Sequence, residues 1–219
     1  TTMQGYFMAL LGAGNHMYDF EQNKWIVSSP GILDTLNFYK TIYVDEELGD
    51  ARMQLLQDGR NRSFLEFRDG NIAMLVEGDF FWRSVLAPGT ETSLENRNEL
   101  VGWAMMPAKE PGAGYNAQDF VTISGGTGWV INPNSEFPDL AWALLSFMSG
   151  REAVRAFELI QPRISFRDDV AVAGDAVMTA MAEALLPVTT VRPMLPEYPQ
   201  ISIEAQLMTE RVVSGEMSP

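Results

Sequence analysis

The chain has 219 residues, of which 46% are hydrophobic and 20% are charged, a composition typical of a folded globular protein. Its formal net charge is -14, and its 15 basic residues are spread along the chain. The negative charge and the dispersed basic residues exclude a protein that binds the nucleic-acid backbone, because such a protein needs clustered Lys and Arg. The chain has no cysteine and one histidine, which excludes disulfides, thiolate nucleophiles and cysteine-based metal sites.

The first predicted elements are two helices separated by a hairpin. A helix is expected from Tyr6 to Leu11, followed by a Gly-containing loop and a short hairpin over residues 19–25. Ser29 is a favoured N-cap and Pro30 suits the first helical position, so a second helix begins there. Residues at near-helical spacing give this helix one buried face: Ile32, Leu33, Leu36, Tyr39 and Tyr43.

The middle of the chain predicts short strands and short helices. A helix is expected to run into residues 64–68, and the unbroken apolar run 72–76 between two glycines predicts a strand buried on both faces. Asp79 can cap a helix that carries the next three aromatic residues. Two further strands are expected at 101–106 and 128–131.

The second half of the chain predicts mainly helices. One begins at Pro138 and carries an apolar stripe made of Phe137, Leu140, Ala141, Leu144, Leu145 and Met148. Ser149 and Glu152 have capping-box spacing, which predicts another helix directly behind it. Two more helices are expected around 177–185 and 201–213, with an extended, proline-rich segment between them. Four of the five tryptophans are interpreted mostly as core residues: Trp25, Trp103, Trp129 and Trp142.

Four stretches of the chain, in the right order, resemble the family 1 extracellular solute-binding proteins, the maltose-binding-protein-like receptors of ABC importers. The first is FRDGNIAM at 67–74 with Gly78 and an aromatic residue behind it, similar to the family's F-x-x-G-x-x-A-M stretch. The others are SGGTGWVI at 124–131, the AWALLSF helix at 141–147, and the RP, PQ and SGE segments between 192 and 216. Each motif is weakly specific, and the ordered set covers nearly the whole chain.

The resemblance implies an α/β, periplasmic-binding-protein-like fold of type II, mainly the C-terminal lobe, helix-rich with a small mixed sheet. Residues 1–123 and 166–219 would form this second lobe, and 124–165 would return to a first lobe, most of which is absent. The chain is therefore expected to be incomplete at both ends. Affinity in such receptors comes from two lobes closing on the ligand, so weak or absent sugar binding is expected of the chain alone.

Sugar recognition needs flat aromatic faces and planar polar groups on rigid elements. By resemblance, Phe80 occupies the position of a stacking tryptophan and Trp82 lies two residues on, whereas Phe81 is expected to fill the core. Tyr6 resembles a second stacking residue. The other predicted ligand contacts are Gln4, Asp79, the hinge glycines Gly125 and Gly126, and the rim residues Arg192 and Tyr198. For Arg192, a structural ion pair is the favoured alternative.

The resemblance implies a receptor without enzymatic activity and without a cofactor or metal. Its partners would be a small carbohydrate and the membrane permease subunits of an ABC importer, with no nucleic acid, and the protein would be a monomer outside the cytoplasmic membrane. Polyamine or other small-solute binding on the same fold remains open, as does glycoside hydrolysis by a carboxyl pair such as Glu77 and Asp79. His16 is interpreted as a surface-loop residue rather than a catalytic one.

Overall fold

The computed structural model of the chain describes residues 3–46, 59–126 and 128–219. The chain divides into two compact units. The first unit consists of Thr1–Val76, Val101–Ser124 and Val188–Pro219, and the second of Glu77–Leu100 and Gly125–Pro187. The assignment of 1–123 and 166–219 to one lobe and 124–165 to another stays a prediction.

The core of the first unit is formed by two N-terminal helices and the C-terminal helix, which pack on a small sheet. Helix α1 spans Met3–Gly12, α2 spans Pro30–Lys40 and continues into a π-helical turn over Thr41–Asp45, α3 spans Arg60–Arg68, and a long C-terminal helix spans Tyr198–Val213. The α1, α2 and C-terminal helices contribute apolar side chains to one buried cluster that includes Phe7, Leu10, Leu11, Ile32, Leu36, Ala205 and Val212. The burial of these side chains is the main stabilising contribution in this unit.

The sheet of the first unit is small and mixed, as predicted for the fold class. Strand β3 (Met106–Pro107) pairs antiparallel with β4 (Phe120–Ser124). Strand β4 pairs in parallel with β5 (Thr189–Val191), so that Ser124 lies opposite Val191. The predicted hairpin is also present, with β1 (Tyr18–Asp19) and β2 (Lys24–Trp25) antiparallel.

The second unit is helical in its described part. It contains a π-helical turn over Phe81–Val85, α4 (Arg97–Leu100), α5 (Pro138–Met148), α6 (Arg151–Ile160) and α7 (Ala176–Leu185). The C-terminal helix of the first unit, Tyr198–Val213, is α8. Buried apolar side chains of the second unit include Phe81, Trp82, Leu86, Val154, Met178 and Met181.

The helix predictions are confirmed, and two of their ends have clear causes. The Ser29 Oγ accepts a hydrogen bond from the Ile32 N–H at 3.2 Å, which satisfies one of the free donors at the start of α2. Gly215 follows α8 with φ of +78°, a left-handed conformation that glycine adopts without steric cost. The capping box predicted at Ser149 and Glu152 is wrong, because α6 has Gly150 as its N-cap and no side-chain cap.

Three strand predictions are wrong or too long. The runs 72–76 and 128–131 form no strand, and of 101–106 only Met106 enters the sheet. Met74 and Val130 are 87% and 89% exposed, so neither run is buried on both faces. An apolar run is only a candidate strand, since a strand also requires a hydrogen-bonding neighbour.

The apolar stripe of α5 is present but is not buried. No residue of α5 is buried, and the exposed fractions of Leu140, Leu144 and Phe147 are 67%, 58% and 75%. Trp129 and Trp142 are 77% and 66% exposed, so their interpretation as core residues is wrong for this chain. Trp103 is also exposed, and Trp25 is half-buried. Within the described ranges, no helix has the length and apolar character that a membrane span requires.

Candidate functional site

Two of the predicted ligand contacts lie on α1 in the first unit. Gln4 is exposed in the first turn, whereas Tyr6 is only 3% exposed and belongs to the hydrophobic core. Burial raises the pKa of Tyr6 to about 12, so its hydroxyl stays protonated. Tyr6 presents no ring face to a ligand here, contrary to its expected stacking role.

Two more predicted contacts follow the sheet of the first unit. Arg192 comes directly after β5 and is half-buried, and within the described residues it forms no ion pair, so the structural ion pair favoured by the sequence is not found. Tyr198 opens α8 and packs against the core. Its Oη is buried without a hydrogen-bond partner in the described part of the chain.

In the second unit, Asp79, Phe80 and Trp82 have different environments. The Asp79 carboxylate accepts a hydrogen bond from the Arg83 Nε at 3.0 Å and does not cap the following turn, contrary to expectation. Phe80 is half-buried. Phe81 is 8% exposed, which confirms it as a core residue, but Trp82 is only 3% exposed and is therefore also a core residue.

Trp82 is held by two polar side chains that the sequence did not single out. Its Nε1–H donates to the Asp175 Oδ2 at 2.9 Å, and the Arg97 guanidinium lies 4.6 Å from the ring centroid. Asp175 also caps α7, because its Oδ1 accepts the N–H groups of Val177 and Met178. Trp82 therefore joins two elements of its unit, which explains its burial.

Of the two predicted hinge glycines, Gly126 shows no close approach to another group. Gly125 and Gly126 are both exposed, and the chain passes from the first unit to the second between Ser124 and Gly125. A Cβ added at Gly126 would meet nothing within 4 Å. A ligand therefore has room to contact the backbone at Gly126, but no neighbouring group in the described residues would clash with a larger side chain there.

The second unit contains a cavity that sequence reasoning missed. Its volume is about 380 Å³, and it is lined by Arg151, Arg155, Glu158 and residues 169–173. The Glu158 side chain is 1% exposed, and both of its carboxyl oxygens lack a hydrogen-bond partner in the described residues. Glu158 lies four residues after Val154 on the same face of α6, and a charged residue at this position gave no reason to predict burial.

The first unit contains an aromatic cluster centred on His16, which is 3% exposed rather than a surface-loop residue. The His16 Nδ1 and the Tyr18 N–H are 3.1 Å apart, and the Nε2 lies 3.1 Å from the Val191 carbonyl oxygen. The Nδ1 also lies 3.1 Å from the Tyr18 carbonyl oxygen, so Nδ1 can accept from the Tyr18 N–H or donate to this oxygen, according to the tautomer, whereas Nε2 bonds to Val191 as a donor. The ring centroids of Phe7, Phe20 and Tyr115 lie 5.0, 5.2 and 5.3 Å from that of His16.

The candidate residues provide fixed aromatic rings and hydrogen-bonding groups. Among the residues that the structure describes, no group of His, Asp and Glu side chains could hold a metal ion. Asp79 is paired with Arg83, and the one histidine has both ring nitrogens engaged with the backbone. Such groups can hold a polar solute through ring contacts and directional hydrogen bonds.

Comparison with solved structures shows the fold. The chain is similar to an ABC transporter solute-binding protein from Thermotoga lettingae, solved bound with alpha-D-tagatose, at a TM-score of 0.76 and 22% sequence identity. The match covers 99% of this chain and 52% of that chain, so this chain spans about half the length of its neighbour. No curated protein matches the chain in sequence.

Comparison with protein families gives the same result from sequence alone. The profile that describes the bacterial extracellular solute-binding proteins matches residues 1–185. This match confirms the resemblance inferred from the four motifs, and both the family and the structural neighbour are described as binding proteins. The chain belongs to the bacterial extracellular solute-binding protein family.

Proposed function

We propose that the chain forms part of an extracytoplasmic receptor that binds a sugar or oligosaccharide for an ABC importer and catalyses no reaction. The observation that carries this proposal is the fold match, over 99% of the chain, to a solute-binding protein solved with a bound sugar. The permease subunits of the importer would be its protein partners, and the receptor would act as a monomer.

The charge of the chain argues against an anionic ligand, and the accessible side chains of the candidate site suit a sugar. The net charge of -14 disfavours anions. Of the nine predicted contacts, seven are accessible and stay proposed contacts: Gln4, Gly125 and Gly126 are exposed, and Asp79, Phe80, Arg192 and Tyr198 are half-buried. The burial of Tyr6 and Trp82 favours a supporting role for these two rings.

We also propose that residues 124–165 pack against a first lobe that lies outside this chain. The support is the exposure of α5, which carries an apolar stripe yet has no buried residue. An apolar stripe on a helix normally faces the core of a protein or a partner surface. Because the structural neighbour is about twice as long as this chain, it contains enough additional polypeptide to cover such a helix.

A thermal-shift screen of sugars, polyols and polyamines on the full-length protein tests the proposed function. A ligand that binds only the folded state raises the melting temperature by mass action. We expect sugars to raise it in the wild type and less so in Phe80→Ala, with Phe38→Ala on α2 as an exposed-phenylalanine control. A screen in which no sugar raises the melting temperature would contradict the proposal.

The strong acidity favours one alternative, a polyamine receptor of the same fold. A cationic ligand would be attracted by the net charge of -14, and its affinity would fall steeply with added salt. The same screen separates the two functions. A shift with spermidine but with no sugar, lost at high salt, would favour the polyamine.

A further inference from the structure

The hairpin β1–β2 presents an exposed aromatic ring that is fixed by other rings. Phe20, between the two strands, is 57% exposed, and its ring centroid lies 5.2 Å from those of both His16 and Tyr18. The Tyr18 ring contacts Trp25 edge-on at 5.1 Å, and its hydroxyl donates to the Asn23 Oδ1 at 2.5 Å. We call Phe20 with His16, Tyr18, Trp25 and Tyr115 the Phe20 platform.

The Phe20 platform is attached to the sheet at the carboxyl ends of its parallel strands. His16 bonds to the carbonyl of Val191, the last residue of β5, and Val191 lies opposite Ser124, the last residue of β4. In open α/β sheets, ligands bind outside the carboxyl ends of the strands. The platform therefore lies on the side of the sheet where a ligand is expected.

Backbone strain is concentrated in the two loops that build the Phe20 platform. In the described ranges, the non-glycine residues with positive φ are Asn23, Asn116 and Ala117, at 54°, 57° and 57°. Asn23 lies in the hairpin turn, and the other two follow Tyr115. Alanine in the left-handed region is unfavourable, and such conformations persist mainly where the surrounding structure or a function holds them. This observation is independent of the ring exposure.

The surroundings of Phe20 suit a sugar ring better than a hydrophobic protein surface. The neighbouring hairpin residues Glu21, Gln22, Asn23 and Lys24 are all polar and exposed, so Phe20 is the exposed apolar side chain of the hairpin. A single flat ring with hydrogen-bonding groups around it matches a sugar, which has an apolar face and an edge of hydroxyls. The fixed position of the ring lowers the entropy cost of binding.

We infer that the Phe20 platform is a carbohydrate-contact surface of the receptor, with Phe20 as its stacking residue. This inference rests on the proposed sugar-binding function and assigns to Phe20 the stacking contact that the buried Tyr6 does not supply. The polar side chains of the hairpin, mainly Gln22 and Lys24, would form hydrogen bonds with sugar hydroxyls.

Calorimetric titration of the full-length receptor with D-tagatose and D-glucose tests the inference. We expect Phe20→Ala to weaken binding about tenfold, the size of effect typical for one aromatic contact, and Phe20→Trp to retain it. Phe38→Ala, at a comparably exposed ring on α2, is the matched control and should bind like the wild type. Equal melting temperatures would show that all variants fold.

The outcomes separate this inference from the function on which it rests. If the wild type binds sugar and Phe20→Ala binds within twofold of it, the Phe20 platform is not a contact surface and the proposed function stands. If the wild type binds neither sugar, while the thermal-shift screen finds no other sugar either, the proposed function and the inference both fail. A change in tryptophan fluorescence on titration that disappears in Trp25→Phe would support contact at the hairpin.

Discussion

His16 connects the hairpin to β5 as an uncharged group. Burial lowers its pKa, although the backbone contacts with Val191 and Tyr18 act in the opposite direction. Protonation would turn Nδ1 into a donor, which can no longer accept from the Tyr18 N–H but lies 3.1 Å from the Tyr18 carbonyl oxygen. The loss of hydration is therefore the main cost of charging the ring. The neutral form is therefore the one that the fold stabilises.

The lowered pKa of His16 predicts acid sensitivity in a defined window. In the unfolded chain His16 takes up a proton near pH 6.5, which is above its pKa in the folded state. The stability that neutral His16 contributes is therefore fully present above about pH 6.5 and is lost as pH falls through the folded-state pKa of His16. Urea unfolding at pH 7.5, 6 and 5 should show this loss. Since the chain has one histidine, His16→Asn should show a shallower slope between pH 7.5 and 5. Equal slopes would contradict the prediction.

The exposure of individual side chains was predicted from the sequence only in part. Phe81 was correctly placed in the core from the presence of three adjacent aromatic residues. The burial of Trp82 depends on Asp175 and Arg97, which are distant in sequence and become neighbours only in the folded unit. The burial of His16 likewise depends on Val191, at the other end of the chain. Local patterns carry no information about such contacts.

Helix α5 has the sequence of a core helix and the exposure of a surface helix. Its apolar residues cover the helix except for the face that carries Asp139 and Ser146, and Trp142, Leu144 and Phe147 are each more than half exposed. A contiguous apolar surface of this kind usually marks an interface. The proposal that residues 124–165 pack against a first lobe explains the exposure of α5.

Substitutions on α5 should behave differently in the chain alone and in the full-length protein. In residues 1–219, Leu144→Ala should change the free energy of unfolding by less than about 0.5 kcal/mol, because little burial is lost. Leu10→Ala on α1, at a fully buried position, should cost about 2–5 kcal/mol and is the control.

The full-length protein provides the decisive comparison for α5. If a first lobe covers the helix, Leu144→Ala should become clearly destabilising there, by about 2 kcal/mol or more in denaturant unfolding. A substitution that stays neutral in both proteins would argue against the lobe assignment.

Helices were predicted better than strands because of the range of the interactions that form them. The positions of the helices and the Ser29 cap depend on residues within four positions, and these predictions are confirmed. The predicted buried face of α2 is confirmed for Ile32, Leu36 and Tyr39, whereas Leu33 is exposed and Tyr43 is not buried. Strand β4, in contrast, was not predicted, and its partner β5 lies far along the chain. The apolar runs 72–76 and 128–131 look like strands but find no neighbour in the described residues.

At the scale of the whole molecule, binding should require more than this chain. Affinity in such receptors comes from enclosure of the ligand by two lobes, and an isolated part offers only some of the contacts. We expect calorimetry on residues 1–219 to show no micromolar affinity for any sugar that shifts the melting temperature of the full-length protein. Micromolar binding by the chain alone would contradict this expectation.

The parallel pairing of β4 with β5 has a consequence for how the chain folds. Thr122 pairs with Thr189, and the whole segment 125–187 of the second unit lies between them. Bringing these strands together closes a long loop, whose entropy cost is met before the contacts form, and such non-local pairings form slowly. During refolding, the amide hydrogens of β5 should therefore gain protection from exchange after those of α1 and α2.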